Sequence, residues 1–150
     1  MRVYLVIIDE SEEAHGALRF AARRAADTGG AVHLLAIVPK QAFSAFGAVQ
    51  ATIEQEARDR AEALANSAAG ELVSEMGKMP PITVCVGDGK ALIDEYLKEH
   101  PEVAALVLGA AKEGGPGPLV THFSAVAGTL PCPVFLIPGS LAEEDMVRLS

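Results

Sequence analysis

Cysteine is scarce in this chain. Cys85 and Cys132 are the only two in 150 residues, with no CxxC pair and no histidine beside them at metal-ligand spacing. A disulfide framework is excluded, and a reducing cytoplasm is the expected compartment. Long apolar runs are also missing, since none approaches the roughly 20 residues of a spanning helix. The N-terminus opens on a strand pattern where a secretory leader would be basic and then apolar. Positive charge is in deficit: 12 Lys and Arg stand against 20 Asp and Glu, for a net charge of −8. Such a field repels phosphate polymers and anionic lipid, so neither duplex nucleic acid nor a membrane is an expected partner. What is present is a chain 50% hydrophobic and 21% charged, the composition of a soluble globular domain. Its length suits one core and leaves no room for a second domain.

Residues 2–8 (RVYLVII) are β-branched, aromatic and apolar almost throughout, which predicts a strand buried on both faces. Ser11 is the expected N-cap of a helix with Glu12 and Glu13 in its first turn and an apolar stripe of Ala14, Leu18, Ala21, Ala22 and Ala25. Gly29 and Gly30 end it. Residues 32–38 (VHLLAIV) predict a second strand, and residues 41–48 a surface loop. A long helix then carries Ile53, Ala57, Ala61, Leu64, Ala68, Leu72 and Met76 on one stripe, until Pro80 and Pro81 forbid its continuation. Residues 82–86 (ITVCV) predict a third strand, with Asp88 capping the next helix. Residues 103–108 (VAALVL) predict a fourth, followed by a glycine-rich stretch, a helix over about 119–129 and a last strand over 134–137. Ser140 and Glu143 have the spacing of a capping box for a short terminal helix, either packed or frayed. The connections are too long for hairpins and each holds a helical pattern. The fold class expected is therefore doubly wound α/β, a parallel sheet with helices on both faces.

In such a sheet ligands bind beyond the carboxyl ends of the strands where the strand order reverses. Strand four runs there into Gly109-Ala110-Ala111-Lys112-Glu113-Gly114-Gly115-Pro116-Gly117-Pro118. Glycines let backbone amides approach an anion, the following helix start adds unpaired amides, and Lys112 adds a full positive charge. This segment is either a phosphate cradle or an ordinary connecting loop. Asp9 either accepts from a ribose hydroxyl or caps the first helix, and Thr121 either reaches a phosphate or bonds within its own helix. Val38, closing the second strand, joins Asp9, Gly109, Lys112, Gly114, Gly115, Gly117 and Thr121 as a candidate cofactor-binding residue. His15, His33, His100 and His122 share no ligand spacing and are read as solvated or core-satisfied, with His122 alone near the crevice. Cys85 and Cys132 are read as inert. Phe43 and Phe46 are read as core residues or as a cover for an adenine or a partner.

Asp9 with Ser11-Glu12 beyond it, the Val86-Gly87-Asp88 turn, the Leu106-Val107-Leu108-Gly109 strand end and the Pro131-Cys132-Pro133-Val134 strand entry occur in an order and spacing that resemble the universal stress protein family. The resemblance covers residues 1–138, leaving 139–150 as a C-terminal helical extension. It implies a five-stranded parallel sheet in the order 3-2-1-4-5, of the adenine nucleotide alpha hydrolase-like kind. It also implies a role in stress response and a homodimer formed through the last strand, Val134 to Ile137 here. Members that bind ATP are similar in a motif of Gly, two residues, Gly, nine residues, Gly, then Ser or Thr. Gly109 matches its first position and Thr121 its last. Lys112 stands at the second glycine and Val120 at the third, with an interval two residues shorter than the family's.

Two functions are therefore expected to compete. One is binding of ATP or another adenine nucleotide, with or without Mg, and without dedicated hydrolysis, since no Walker lysine motif and no pair of base and nucleophile are evident. The other is a nucleotide-free family member acting through protein contacts, which Val120 favours. A phosphoacceptor receiver would need a lysine after the last strand, where this chain has Ile137-Pro138-Gly139.

Overall fold

The computed structural model describes residues 1–40 and 47–150, so Phe43, Phe46 and most of the loop expected over 41–48 lie outside the described residues. The elements are β1 (Val3–Ile8), α1 (Glu13–Thr28), β2 (Ala31–Val38), α2 (Gly47–Met76), β3 (Ile82–Val86), α3 (Gly89–Glu99), β4 (Val103–Ala110), α4 (Pro118–Ala125), a 3-10 turn (Ala127–Thr129), β5 (Val134–Pro138) and α5 (Glu143–Leu149). The five strands form one sheet in the order β3-β2-β1-β4-β5, parallel throughout. Among the described residues no helix is long and apolar enough to cross a membrane.

The continuous apolar character of β1 reflects its central place, with all six of its residues buried. Their alternation divides the core in two. Tyr4, Val6 and Ile8 pack with Leu18, Ala21, Ala25 and Leu72 of α1 and α2. Val3, Leu5 and Ile7 pack with Ile93 and Leu97 of α3 and with Val120 and Phe123 of α4. The small residues on α1 and α2 let these helices approach closely, while the larger ones each contribute about 1.5–3 kcal/mol on burial. A smaller cluster of Val38, Ala57 and Ala61 seats the first half of α2 on β2. The predicted stripes of both helices thus face the sheet.

Local chemistry shifts several expected boundaries. Ser11 does not cap α1. Its N–H and hydroxyl both donate to Asp9 Oδ1, and the helix starts two residues later without a side-chain cap. The helix expected over 119–129 ends at Ala125, and a 3-10 turn completes it. α2 begins at Gly47, inside the expected loop. Asp88 caps α3 as expected, accepting from Lys90 N–H at 3.4 Å. The Ser140–Glu143 capping box does not form: Ala142 stands at the N-cap of α5 with no side-chain bond. Glu143 instead pairs with Arg19 and Arg23 of α1. α5 is packed, with Met146 buried against α1 at Gly16, where an added Cβ would lie 3.0 Å from Met146 Cε.

β4 continues through Gly109 and Ala110, and Gly109 meets the start of α1 at very short range. A Cβ on Gly109 would stand 2.3 Å from the Glu13 carbonyl oxygen and 2.7 Å from its carbon. Backbone lies on both sides, so no flexible side chain can yield. Gly109→Ala is expected to destabilise the protein by about 1–3 kcal/mol, measured as a lowered midpoint of urea unfolding with an unchanged slope. An unchanged midpoint would show that β4 and α1 are not in this contact.

Candidate functional site

The carboxyl ends of β1 and β4, neighbours at the point where strand order reverses, open onto a small hollow. It has a volume of about 40 Å³ and is lined by Ile7, Asp9, Ser11, Glu13, Gly109 and the 116–120 segment, among others. Asp9 is held there by its two bonds from Ser11, which occupy Oδ1. Its Oδ2 is the carboxylate oxygen left for a ligand, so the local turn and the ribose acceptor expected of Asp9 are compatible.

The glycine-rich loop is closed by Ala111 N–H donating to the Pro116 carbonyl at 3.2 Å. Gly114, Gly115 and Gly117 have φ of 74°, 85° and 103°, a region that side chains with a Cβ seldom adopt. Pro118 at the first position of α4 has no N–H to satisfy, and the first helical bond is from Thr121 N–H to Gly117 O at 3.0 Å. Leu119 and Val120 therefore carry the amides without an intrahelical acceptor, and both residues line the hollow.

The candidate residues do not all converge. Asp9, Gly109 and Gly117 border the same hollow. Gly114 and Gly115 lie exposed in the loop. Lys112 is exposed in a neighbouring hollow of about 350 Å³ with Glu12, Glu13, His15, Gly139 and Met146. Thr121 is exposed on α4, and Ser124 Oγ donates to its carbonyl. Val38 is fully buried under α2, and its carbonyl accepts from Gly87 N–H at 3.1 Å. Val120 is 5% exposed and is both a wall of the hollow and a member of the core beside Phe123.

Glu13 is the residue that sequence reasoning passed over. Its acidic first-turn position signals only a favourable helix dipole, yet its side chain forms part of the wall and its carbonyl abuts Gly109. A second hollow, of about 370 Å³, lies at the same end of the sheet beyond β2 and β3. It is lined by Lys40, Ala51, Glu54, Gln55, Arg58 and Val86.

A parallel sheet ordered 3-2-1-4-5 with a hollow of mixed polar and apolar lining at its switch point defines a doubly wound α/β domain. Residues 1–138 match the universal stress protein family, and the chain belongs to it. Solved structures of the same fold include a universal stress protein from Lactobacillus plantarum, 23% identical with a TM-score of 0.74, over 91% of this chain and 97% of that one. Another, from Archaeoglobus fulgidus in complex with dAMP, is 16% identical with a TM-score of 0.55, over 91% of this chain and 97% of that one. A third, from Arabidopsis thaliana with AMP bound, is 14% identical with a TM-score of 0.62, over 97% of this chain and 95% of that one. At such identities these likenesses establish the fold. No curated protein matches the chain in sequence.

The two thiols are free and half-buried. Burial pushes the Cys85 thiol up, Glu95 adds to the effect and Arg58 opposes it. Burial also pushes the Cys132 thiol up, against a bond to the Leu106 backbone. The thiolate is the nucleophile, so a raised pKa lowers reactivity at a given pH. Their contribution to stability is correspondingly present below the ordinary thiol range and lost as pH rises through the folded values. At pH 8, alkylation by iodoacetamide is expected to run several-fold slower in the native protein than in urea. Equal native and denatured rates would contradict it.

Proposed function

We propose that this chain is a cytoplasmic universal stress protein that binds an adenine nucleotide and works as a dimer. The observation that carries this reading is the meeting of Asp9, Gly109 and the amides at the start of α4 around one hollow at the switch point. Relatives described in complex with dAMP and AMP share this fold. The hollow, at about 40 Å³, takes a phosphate-sized group rather than a whole nucleotide. The phosphate nearest the ribose sits at the Leu119 and Val120 amides, the ribose meets Asp9 Oδ2, and the base lies outside along the edge of β2 toward Lys40. Asp9 and Glu13 face that phosphate with two carboxylates, and Mg bound with the nucleotide offsets their charge. ATP fits this arrangement when its outer phosphates extend over the loop toward Lys112. The free thiols at Cys85 and Cys132 suit a reducing compartment.

A specific observation favours the second reading, a nucleotide-free member acting through protein contacts. The Val120 isopropyl group occupies wall space where binding members have a glycine. Calorimetric titration with ATP, ADP and AMP, each with and without Mg, separates the two readings. Binding is expected, and Val120→Gly is expected to tighten it by about tenfold, equivalent to about 1.4 kcal/mol, even though the variant loses core packing. Neither heat nor thermal shift in either protein would leave the interaction-only reading standing.

The dimer forms through β5, the edge strand beyond β4. Among the described residues its main-chain groups are paired only on the β4 side, and Leu136 is 43% exposed on it. Leu136→Asp is expected to shift the protein to monomer in analytical ultracentrifugation while leaving its circular dichroism intact. A wild-type monomer at all concentrations would refute the assembly.

A further inference from the structure

The end of the sheet opposite the crevice carries a side-chain cluster that the proposed function does not use. His33 lies near the start of β2, His100 follows the last residue of α3, and Glu102 directly precedes β4. The connection between α3 and β4 is only His100-Pro101-Glu102. It is fixed at both ends, since His100 N–H donates to Tyr96 O at 2.9 Å and Val103 N–H to His100 O at 3.1 Å. His33 and His100 hold their ring centroids 6.1 Å apart, and Tyr96 stacks on His100 at 4.0 Å. One potential donor atom from each of His33, His100 and Glu102 lies within 4.8 Å of the other two.

We propose that His33, His100 and Glu102 bind one divalent transition-metal ion of the zinc class. Two imidazoles and a carboxylate form a donor set that suits zinc, while magnesium and calcium prefer oxygen alone. At zinc–nitrogen distances near 2.0–2.1 Å, tetrahedral geometry sets donor atoms about 3.3 Å apart. The cluster therefore closes by at most about 1.5 Å, within reach of a side-chain rotation at Glu102. Glu102 and His100 have side chains 46% and 36% exposed, which gives the ion an entry path. His33 Nδ1 is bonded to the Tyr96 hydroxyl at 2.9 Å, so His33 offers Nε2, while His100 Nδ1 and Glu102 Oε1, already 2.7 Å apart, take the ion between them in place of their shared proton. The Tyr96 hydroxyl orients His33 in the way outer partners orient metal-bound histidines. The fourth position is left to water or to a ligand from outside.

Sequence spacing hides this site because its members are 67 and 2 residues apart, from His33 to His100 and from His100 to Glu102. It comes from β2 and the α3–β4 connection meeting at the amino edge of the sheet. The site is separate from the nucleotide crevice, so failure of one leaves the other untouched.

The test is calorimetric titration of untagged, chelator-treated protein with ZnCl2, alongside Co2+ spectroscopy. One zinc per chain is expected, with the visible bands of four-coordinate Co2+. His100→Ala lies at a partly exposed position and Glu102→Gln at an exposed one, and both are expected to keep the fold, shown by circular dichroism. Each is expected to weaken zinc by at least about tenfold, and Tyr96→Phe by about tenfold as an orienting partner. Absence of zinc binding overturns the proposal. So does zinc binding of unchanged affinity in the folded double variant His100→Ala/Glu102→Gln, which would place the ion on other carboxylates or on the thiols.

Discussion

The contact between Gly109 and the Glu13 carbonyl is the constraint on which the carboxyl end of this domain depends. Two main-chain segments meet with no room for a side-chain carbon between them. Packing this tight orients α1 against β4, brings Asp9 beside the start of α4 and limits the width of the crevice. A glycine at the end of strand four therefore has a packing role before any ligand is considered. A glycine that admits a ligand and a glycine that admits a tight crossing have one physical cause: both require bare backbone.

The charge pattern around the crevice follows from the same crowding. The Glu13 backbone lies against Gly109, which keeps the residue among those lining the wall. A ligand with phosphate groups must meet amide donors from one side and carboxylates from the other. This mixture differs from a purely cationic anion site, and Lys112, exposed in the adjoining hollow, does not neutralise it directly. Val120 adds a steric condition to the electrostatic one. It serves the core beside Phe123 and the crevice wall at once, so the volume offered to a ligand is coupled to the packing of α4.

The strands and the helix faces were legible in the chain because apolar periodicity reports burial directly, whereas the strand order followed only from the family resemblance. The two-sided apolar run of β1, the small-residue stripe of α1 and the stripe of α2 each appear as their spacing implies. Helix starts were less legible, since capping is a competition among nearby acceptors. Ser11 has a better partner in Asp9 than in the helix amides, and Glu143 a better one in two arginines than in a capping box. Around the crevice, residue type pointed to Asp9 and Gly109, but Lys112 and Thr121 follow the path of the loop and helix, which composition does not determine. Glu13 and the His33–His100–Glu102 cluster were invisible because only tertiary contact assembles them.

The seat of α5 on Gly16 links the chain's last turns to this carboxyl edge. Met146 enters the space that the missing side chain leaves, while Gly139 N–H holds Ala110 O at 2.7 Å. The terminal helix is thus splinted to the strand that leads into the glycine loop, and each surface ion pair from Glu143 adds only about 0–1 kcal/mol to that splint. Most of its grip is one thioether in one notch. A larger side chain at position 16 would push that flexible thioether aside and loosen the seat of the tail, whose nearest tie to the strand is at Ala110, where β4 hands over to the loop.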